Sequence, residues 1–287
     1  MLCIYHVADH DGKGSAGIVK NIYPNAETYG YNHDMRPPYE LIEKHKEIVV
    51  CDICLPMDLM FEINQTKDLT WIDHHISVID EYAEYIATGQ YKEIKGLRRV
   101  GTAAIELTWE YFHPTKQIPE GIKLLALNDI FDLRDSRVRP FEYAIQSMGV
   151  NRPDEKIWSD LISGKIDVEE TVEKGRAILS WIQIRNYRLA YGMAFESEFN
   201  DMSCICANMP QGYSEFFDSV ENLKKYDFMV NFYMDKKNLW KLTAYTQKDD
   251  VDVSKLMALF GGGGHKKAAG ASGLKELPEF LKKGIRG

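Results

Sequence analysis

Acidic and imidazole residues gather at three places in the first third of the chain, and each place closes a short apolar run. Leu2–Val7 leads into His6-Val7-Ala8-Asp9-His10-Asp11-Gly12, Ile48–Asp52 ends at Asp52, and Leu69–Asp73 ends at Asp73-His74-His75. Carboxylates that converge repel one another and are pushed up in pKa unless a cation neutralises them. A mixed oxygen and nitrogen donor set without thiolates suits Mn²⁺, or Mg²⁺ in part, better than structural zinc. Two such ions roughly 3.5–4 Å apart can generate a hydroxide near neutral pH and stabilise a phosphoryl transition state. The chemistry expected is that of a dinuclear metal phosphoesterase. Any one of these residues, taken alone, reads equally well as a strand-end carboxylate capping a turn. Their recurrence at all three strand ends favours the metal.

The elements that must position them follow from the pattern. The three apolar runs are too brief for helices and rich in β-branched and aromatic residues. Between them Gly14–Ile22 and Tyr39–His45 read as helices, the second after the Pro37–Pro38 turn. Short strands separated by helices predict a parallel sheet covered on both faces. In such sheets sites lie outside the carboxyl ends of the strands. Neighbouring strands are about 4.8 Å apart, so three termini can share one small volume. Thr102–Phe112 and Gly121–Asn128 read as further helices, and Asn151–Lys165 as irregular structure. Val168–Tyr191 is a long, charged, amphipathic helix pattern. Beyond it Met193–Phe199, Ser203–Ala207, Phe228–Met234 and Trp240–Thr246 read as strands, and Ser254–Phe260 as a helix running into Gly261–Gly264. The expected architecture is α/β: a parallel-sheet domain over 1–167, a connecting helix over 168–191, and a smaller α/β domain over 192–287.

Composition bounds the rest. The chain has 287 residues, 45% hydrophobic and 27% charged, with a net charge of −8. These fractions exclude a disordered or collagen-like chain, and the length favours two domains. Five cysteines are too sparse for a disulfide framework, which points to a reducing cytoplasm. No apolar run approaches the roughly 18–20 residues of a membrane span, and the N-terminus lacks the features of a signal peptide. The acidic balance argues against a sequence-independent coat on duplex DNA.

Three motifs of the chain resemble those of the DHH family of phosphoesterases: H-x-x-D-x-D-G at His6–Gly12, the isolated Asp52, and the Asp73-His74-His75 triplet. A looser fourth is Asn128-Asp129-Ile130-Phe131-Asp132-Leu133. Near the C-terminus, Phe260–Gly270 (FGGGGHKKAAG) is similar to the glycine-rich motif of the family's C-terminal substrate domain. The resemblance implies that His6 and Asp9 hold one metal, and Asp11 and His74 the other. It implies that Asp52 bridges them and that Asp132 completes the second site, with Asp129 as the competing residue. Asp73 would orient an imidazole or the attacking water, and His75 would face the scissile phosphate as donor or acid. The implied cofactor is a pair of Mn²⁺ ions, with Mg²⁺ or Co²⁺ as substitutes. The implied substrates are short single-stranded oligonucleotides cut to mononucleotides. The alternatives are a 3′-phosphoadenosine 5′-phosphate phosphatase and a linear dinucleotide hydrolase. A non-catalytic nucleotide sensor is the alternative of another class, and the intact acidic and imidazole set speaks against it.

Independently of the resemblance, four consecutive glycines let a backbone approach a ligand closely and expose N–H groups to an anion. Gly262, Gly263 and Gly264, with His265 and Lys266 attached, are therefore candidate phosphate or nucleotide contacts. The segment from Phe260 to the end carries six Lys and Arg against two Glu. Arg98 and Arg99, just before a helix, could reach a phosphate as bidentate donors, assisted by that helix's N-terminus. A solvated basic turn explains them equally well. The cysteine pairs Cys51/Cys54 and Cys204/Cys206 read as small buried hydrophobes, and His10 as pointing away from the metals. Trp181, Tyr187 and Tyr191, at helical spacing, read as packing residues.

Overall fold

The computed structural model describes residues 1–210 and 214–285, the side chains of His265 and Ile285 excepted. By contacts the chain divides into two compact units, Met1–Leu179 and Ser180–Gly287. The division falls inside one long helix.

The first unit runs β1 (Leu2–His6), α1 (His10–Ile22), β2 (Glu27–Tyr31), α2 (Tyr39–Lys44), β3 (Glu47–Cys51), α3 (Met57–Thr66), β4 (Asp68–Ile72) and α4 (Ile76–Ala87). It continues with α5 (Ala104–Phe112), α6 (Glu120–Asp129), α7 (Val138–Ser147), α8 (Lys156–Ile162) and α9 (Val168–Met193), whose C-terminal half belongs to the second unit. The four strands pair in parallel in the order β2-β1-β3-β4. Alternate residues of β1 and β3 feed separate cores. Leu2, Ile4, Ile48, Val50, Leu69 and Trp71 pack with α3, while Cys3, Tyr5, Val49 and Cys51 pack with Ala16 and Val19 of α1. Both faces are dry, as a parallel sheet requires.

The strand order reverses at β1, so the crevice between the carboxyl ends of β1 and β3 is the topological switch point. Gly12 is dictated by this geometry. A Cβ there would lie 2.2 Å from the His6 carbonyl oxygen, so α1 starts against β1 only because residue 12 has no side chain.

Several elements depart from the sequence expectation. β2 was not anticipated, because ETYGY is a half-exposed edge strand with neither an apolar run nor clean alternation. The stretch 151–165, expected to be irregular, contains α8, whose Trp158 is 1% exposed beneath Gly14 and Gly17 of α1. Trp181, Tyr187 and Tyr191, expected to pack, are 62%, 60% and 90% exposed. Among the described residues no helix is long and apolar enough to cross a membrane.

The second unit adds β5 (Ala194–Phe199), β6 (Met202–Asn208), β7 (Phe228–Met234), β8 (Trp240–Tyr245), α10 (Val253–Ala258), β9 (Gly263–His265) and β10 (Ala268–Leu274). Its sheet has the order β5-β6-β7-β8-β10-β9, antiparallel except for β6 beside β7. Val253, Leu256 and Met257 of α10 pack on Leu242, Ala269 and Ala271. The protein is thus an α/β chain with a parallel-sheet unit, a long connecting helix and a smaller mixed-sheet unit.

Candidate metal centre

The loops that leave β1, β3 and β4 deliver their polar side chains to one place. His6 Nδ1 lies 2.9 Å from Asp9 Oδ2 and 3.4 Å from Asp52 Oδ2. His74 Nε2 lies 3.3 Å from Asp52 Oδ1, 3.4 Å from Asp129 Oδ2 and 3.6 Å from Asp11 Oδ2. One imidazole nitrogen facing three carboxylates cannot satisfy them all as a hydrogen-bond donor. The donor atoms fall into overlapping groups, each within 4.8 Å: His6 with Asp9 and Asp52, Asp11 with His74 and Asp129, and Asp52 with His74 and His75.

His6 Nδ1, Asp52 Oδ2 and Asp129 Oδ2 are buried without a hydrogen-bond partner. Buried polar atoms are costly to leave unpaired; here His6 Nδ1 and Asp52 Oδ2 face each other, and Asp129 Oδ2 faces His74 Nε2. The residues fit divalent cations. Burial pushes the Asp52 carboxyl well above its ordinary pKa, and the neighbouring Asp11 adds to the rise. Asp129 is raised by burial and by Asp11 in the same way. Burial also raises Asp11. Asp9 goes the other way: burial opposes ionisation, but His6 outweighs it and holds the carboxyl at about 2. Burial resists protonation of His6, yet contacts with Asp52 and Asp9 lift it to about 10.

Local structure explains how each side chain is held. Asp9 caps α1, its Oδ1 accepting from Gly12 N at 3.0 Å. Asp11 reaches across to α5, where it accepts from Ala104 N at 2.8 Å and Ile105 N at 2.7 Å. The amide end of a helix favours a negative charge, so this contact offsets part of the cost of burying Asp11. Asp52 follows β3 with a left-handed φ of 60°. Asp73 lies outside the ligand groups. Its Oδ1 accepts from His74 N at 2.7 Å and His75 N at 3.1 Å and lies 2.7 Å from His75 Nδ1. His10, 2.8 Å from Glu142 Oε1, is likewise outside them.

The sequence expectation is corrected at three points. Asp132 does not join the second group; Asp129 does. Helix α6 stops at Asp129, and Phe131 turns left-handed at φ 58°, so the two acids do not share a helical face. Asp132 pairs with Arg134 instead, which holds its carboxyl at about 2. Neither Arg98 nor Arg99 is arranged for a phosphate. Residues 95–98 run beside β4, bridging at Thr70↔Lys95 and Asp73↔Arg98. Arg98 therefore lies over Trp71 and Tyr82 and donates to Trp71 O at 2.9 Å and Ile94 O at 2.8 Å. Arg99 forms a forked pair with Glu110, and Asp11 already occupies the N-terminus of α5. The glycine run is in part structural. A Cβ at Gly262 would lie 2.1 Å from Gly270 O, and one at Gly264 2.7 Å from Ala269 Cα, whereas Gly263 has open space. Lys266 is exposed, and the His265 side chain lies outside the described residues.

Trp71 escaped the sequence reading. Its indole Nε1 donates to Asp73 Oδ2 and Ile53 O, both at 3.1 Å, and so fixes the carboxylate that holds His75. The signal was available: residues two apart on a strand share a face.

Comparison with known proteins bears on both units. Residues 209–285 match the DHHA1 domain. An uncharacterized protein, R106, of Acanthamoeba polyphaga mimivirus is 25% identical over 310 aligned residues, covering 97% of this chain and 69% of its own. The pGpG-specific phosphodiesterase PggH of Vibrio cholerae superposes with a TM-score of 0.52 at 12% identity, over 99% of this chain and 97% of that one. An exopolyphosphatase-related protein of Bacteroides fragilis superposes with a TM-score of 0.52 at 16% identity, over 99% and 88%. These two likenesses establish the fold across both units. Residues 209–285 thus carry a DHHA1 domain, in a chain whose β4 leads into Asp73-His74-His75.

Proposed function

We propose that this chain is a divalent-metal-dependent phosphoesterase that hydrolyses phosphodiester bonds in short single-stranded oligonucleotides and releases mononucleotides. The observation that carries the reading is Asp52. Its two carboxylate oxygens face different imidazoles, Oδ2 toward His6 at 3.4 Å and Oδ1 toward His74 at 3.3 Å. A bridging carboxylate needs that division. His6, Asp9 and Asp52 would hold one cation, and Asp11, His74, Asp129 and Asp52 the other. Mn²⁺ best suits their oxygen and nitrogen donors. When bound, the cations would supply a nucleophilic water near neutral pH and offset charge on the phosphoryl oxygens.

The chain's own residues would do the rest. Asp73 accepts from His75 Nδ1, so the protonated ring carries its second proton on Nε2, the atom that would serve the leaving oxygen. The Gly263 backbone and the Lys266 ammonium would hold a terminal phosphate or nucleotide. A linear dinucleotide hydrolase is the second reading, favoured by the likeness in fold to a phosphodiesterase named for pGpG.

The test is a substrate panel with Mn²⁺: short RNA oligomers, pGpG, 3′-phosphoadenosine 5′-phosphate and pyrophosphate. Mononucleotide release from the oligomers supports the proposal. Turnover of pGpG alone would select the second reading. Binding of oligomers without turnover would overturn both in favour of a sensor.

A further inference from the structure

One aromatic residue beside the candidate metal centre sits where neither its backbone nor its burial explains it. Helix α6 closes with Asp132 N donating to Leu127 O at 2.9 Å and Phe131 N donating to Asn128 O at 3.1 Å. These are the paired bonds of a Schellman turn, whose left-handed position glycine usually fills. Here Phe131 fills it, at φ 58°. Among the described residues, the other non-glycine residues with positive φ are Asp52, Asn200, Asp201, Asn222 and Asn238. Their short polar side chains tolerate that region, whereas a bulky ring does not. Burial does not offset the strain. Ile130 and Leu133 pack against the core of α5, α6 and α7, but Phe131 is 63% exposed. Arg139 of α7 lies over its ring, with Cζ 5.0 Å from the centroid. An exposed contact of this kind is worth less than the left-handed backbone costs. Strain that the fold does not need collects where a ligand is held.

We propose that Phe131 is a stacking platform for the nucleobase attached to the phosphate at the metal centre. Its place in the chain supports this. Phe131 is two residues beyond Asp129, so the two Cα atoms are at most about 7 Å apart. Asp129 Oδ2 in turn lies 3.4 Å from His74 Nε2, inside the ligand cluster. A nucleotide spans a comparable distance from its phosphate to its base. The Arg139 guanidinium covers one face of the ring, so a base would take the other, with the cation behind it. Stacking on an aromatic ring is tolerant of sequence, because every base has a π-face. Phe131 would therefore favour nucleotide esters over phosphates that carry no base. This role presupposes the phosphodiester chemistry proposed above.

The experiment compares wild type, Phe131→Gly, Phe131→Leu and Phe131→Trp. The probes are RNA dinucleotides carrying the fluorescent base 2-aminopurine at the first or second position, and their counterparts with that base removed. Stacking quenches the fluorophore, and Ca²⁺ in place of Mn²⁺ slows turnover during the binding measurement. One labelled dinucleotide should be quenched by wild type and Phe131→Trp, and not by Phe131→Gly or Phe131→Leu. With Mn²⁺, its KM should rise about tenfold in Phe131→Gly and Phe131→Leu, with kcat within about threefold of wild type. KM for the abasic counterpart should be alike in all four proteins. Phe131→Gly should also melt about 2 °C higher, since it relieves the backbone. Equal quenching and equal KM in wild type and Phe131→Gly would overturn the stacking role and leave the phosphoesterase reading standing. So would a Phe131→Gly protein that melts about 5 °C or more below wild type, because the ring would then be part of the fold. Quenching without turnover would keep the platform and overturn the phosphoesterase in favour of a sensor. A wild type that neither binds nor cuts the dinucleotides would overturn both.

Discussion

The amide of Asp52 donates to the carbonyl of Ile72 at 2.9 Å, and this bond crosses from the end of β3 to the end of β4. It fixes the left-handed turn that aims the Asp52 carboxylate between His6 and His74. Asparagine tolerates that backbone region better than other non-glycine residues. Asp52→Asn should therefore keep the fold and lose one ionisable bridge. Turnover should fall by about a thousandfold or more, roughly 4 kcal/mol of barrier. Circular dichroism and a steady-state assay on the same preparation check this. A loss below about tenfold would remove Asp52 from the bridging position.

Asp129 and Asp132 make a sharper comparison, since the sequence motif could not separate them. Asp129 Oδ2 is buried and unpaired near His74, while Asp132 is held by Arg134. Asp129→Asn should lower kcat by about a hundredfold, roughly 2.7 kcal/mol, and weaken metal binding. Asp132→Asn should change kcat less than about threefold. Metal titration by calorimetry separates the two, and equal losses in both variants would contradict the geometry.

That ambiguity shows where sequence reading stops. The strands that carry His6, Asp52 and Asp73 were legible because both faces of a parallel sheet are buried, so the runs are apolar throughout. β2 was not, because an edge strand with Gly30 in it shows no such run. The motif residues announced themselves by spacing within a few positions. Asp129 depends instead on where α6 ends, which Phe131 decides through its backbone rather than its side chain. Arg98 failed for a related reason. Its charge suggested a phosphate, but the chain path beside β4 commits its donors to backbone carbonyls. Trp71 acts through a hydrogen bond to Asp73 that only the folded strand reveals.

The metal-free protein should be unstable in a particular way. Burial and mutual repulsion raise Asp52 and Asp129, so the folded state retains protons that the unfolded chain has lost. Stability contributed by these groups then falls as pH rises above about 4, the ordinary carboxyl value. Asp52→Asn removes one such group, so its melting temperature should gain on the wild type as pH increases. Mn²⁺ at about a hundredfold over its dissociation constant should add roughly 2.7 kcal/mol to the wild type and raise its melting temperature by about 5 °C or more. The gain should be smaller in the variant. Differential scanning calorimetry with and without chelator checks both signs, and a wild type that melts identically in chelator and in Mn²⁺ would refute the site.

The glycine run divides into residues the fold needs and one it does not. Gly262→Ala would push a Cβ to within 2.1 Å of Gly270 O, a backbone atom that cannot step aside without breaking the pairing of β9 with β10. The cost should be about 2 kcal/mol. Gly263→Ala meets nothing within 4 Å, and its stability should stay within about 0.5 kcal/mol of the wild type. If the backbone at residue 263 lies against a terminal phosphate, this small methyl should raise KM several-fold while the melting temperature holds. An unchanged KM would assign the run to hairpin packing alone and move the search for the anion contact to Lys266 and its neighbours.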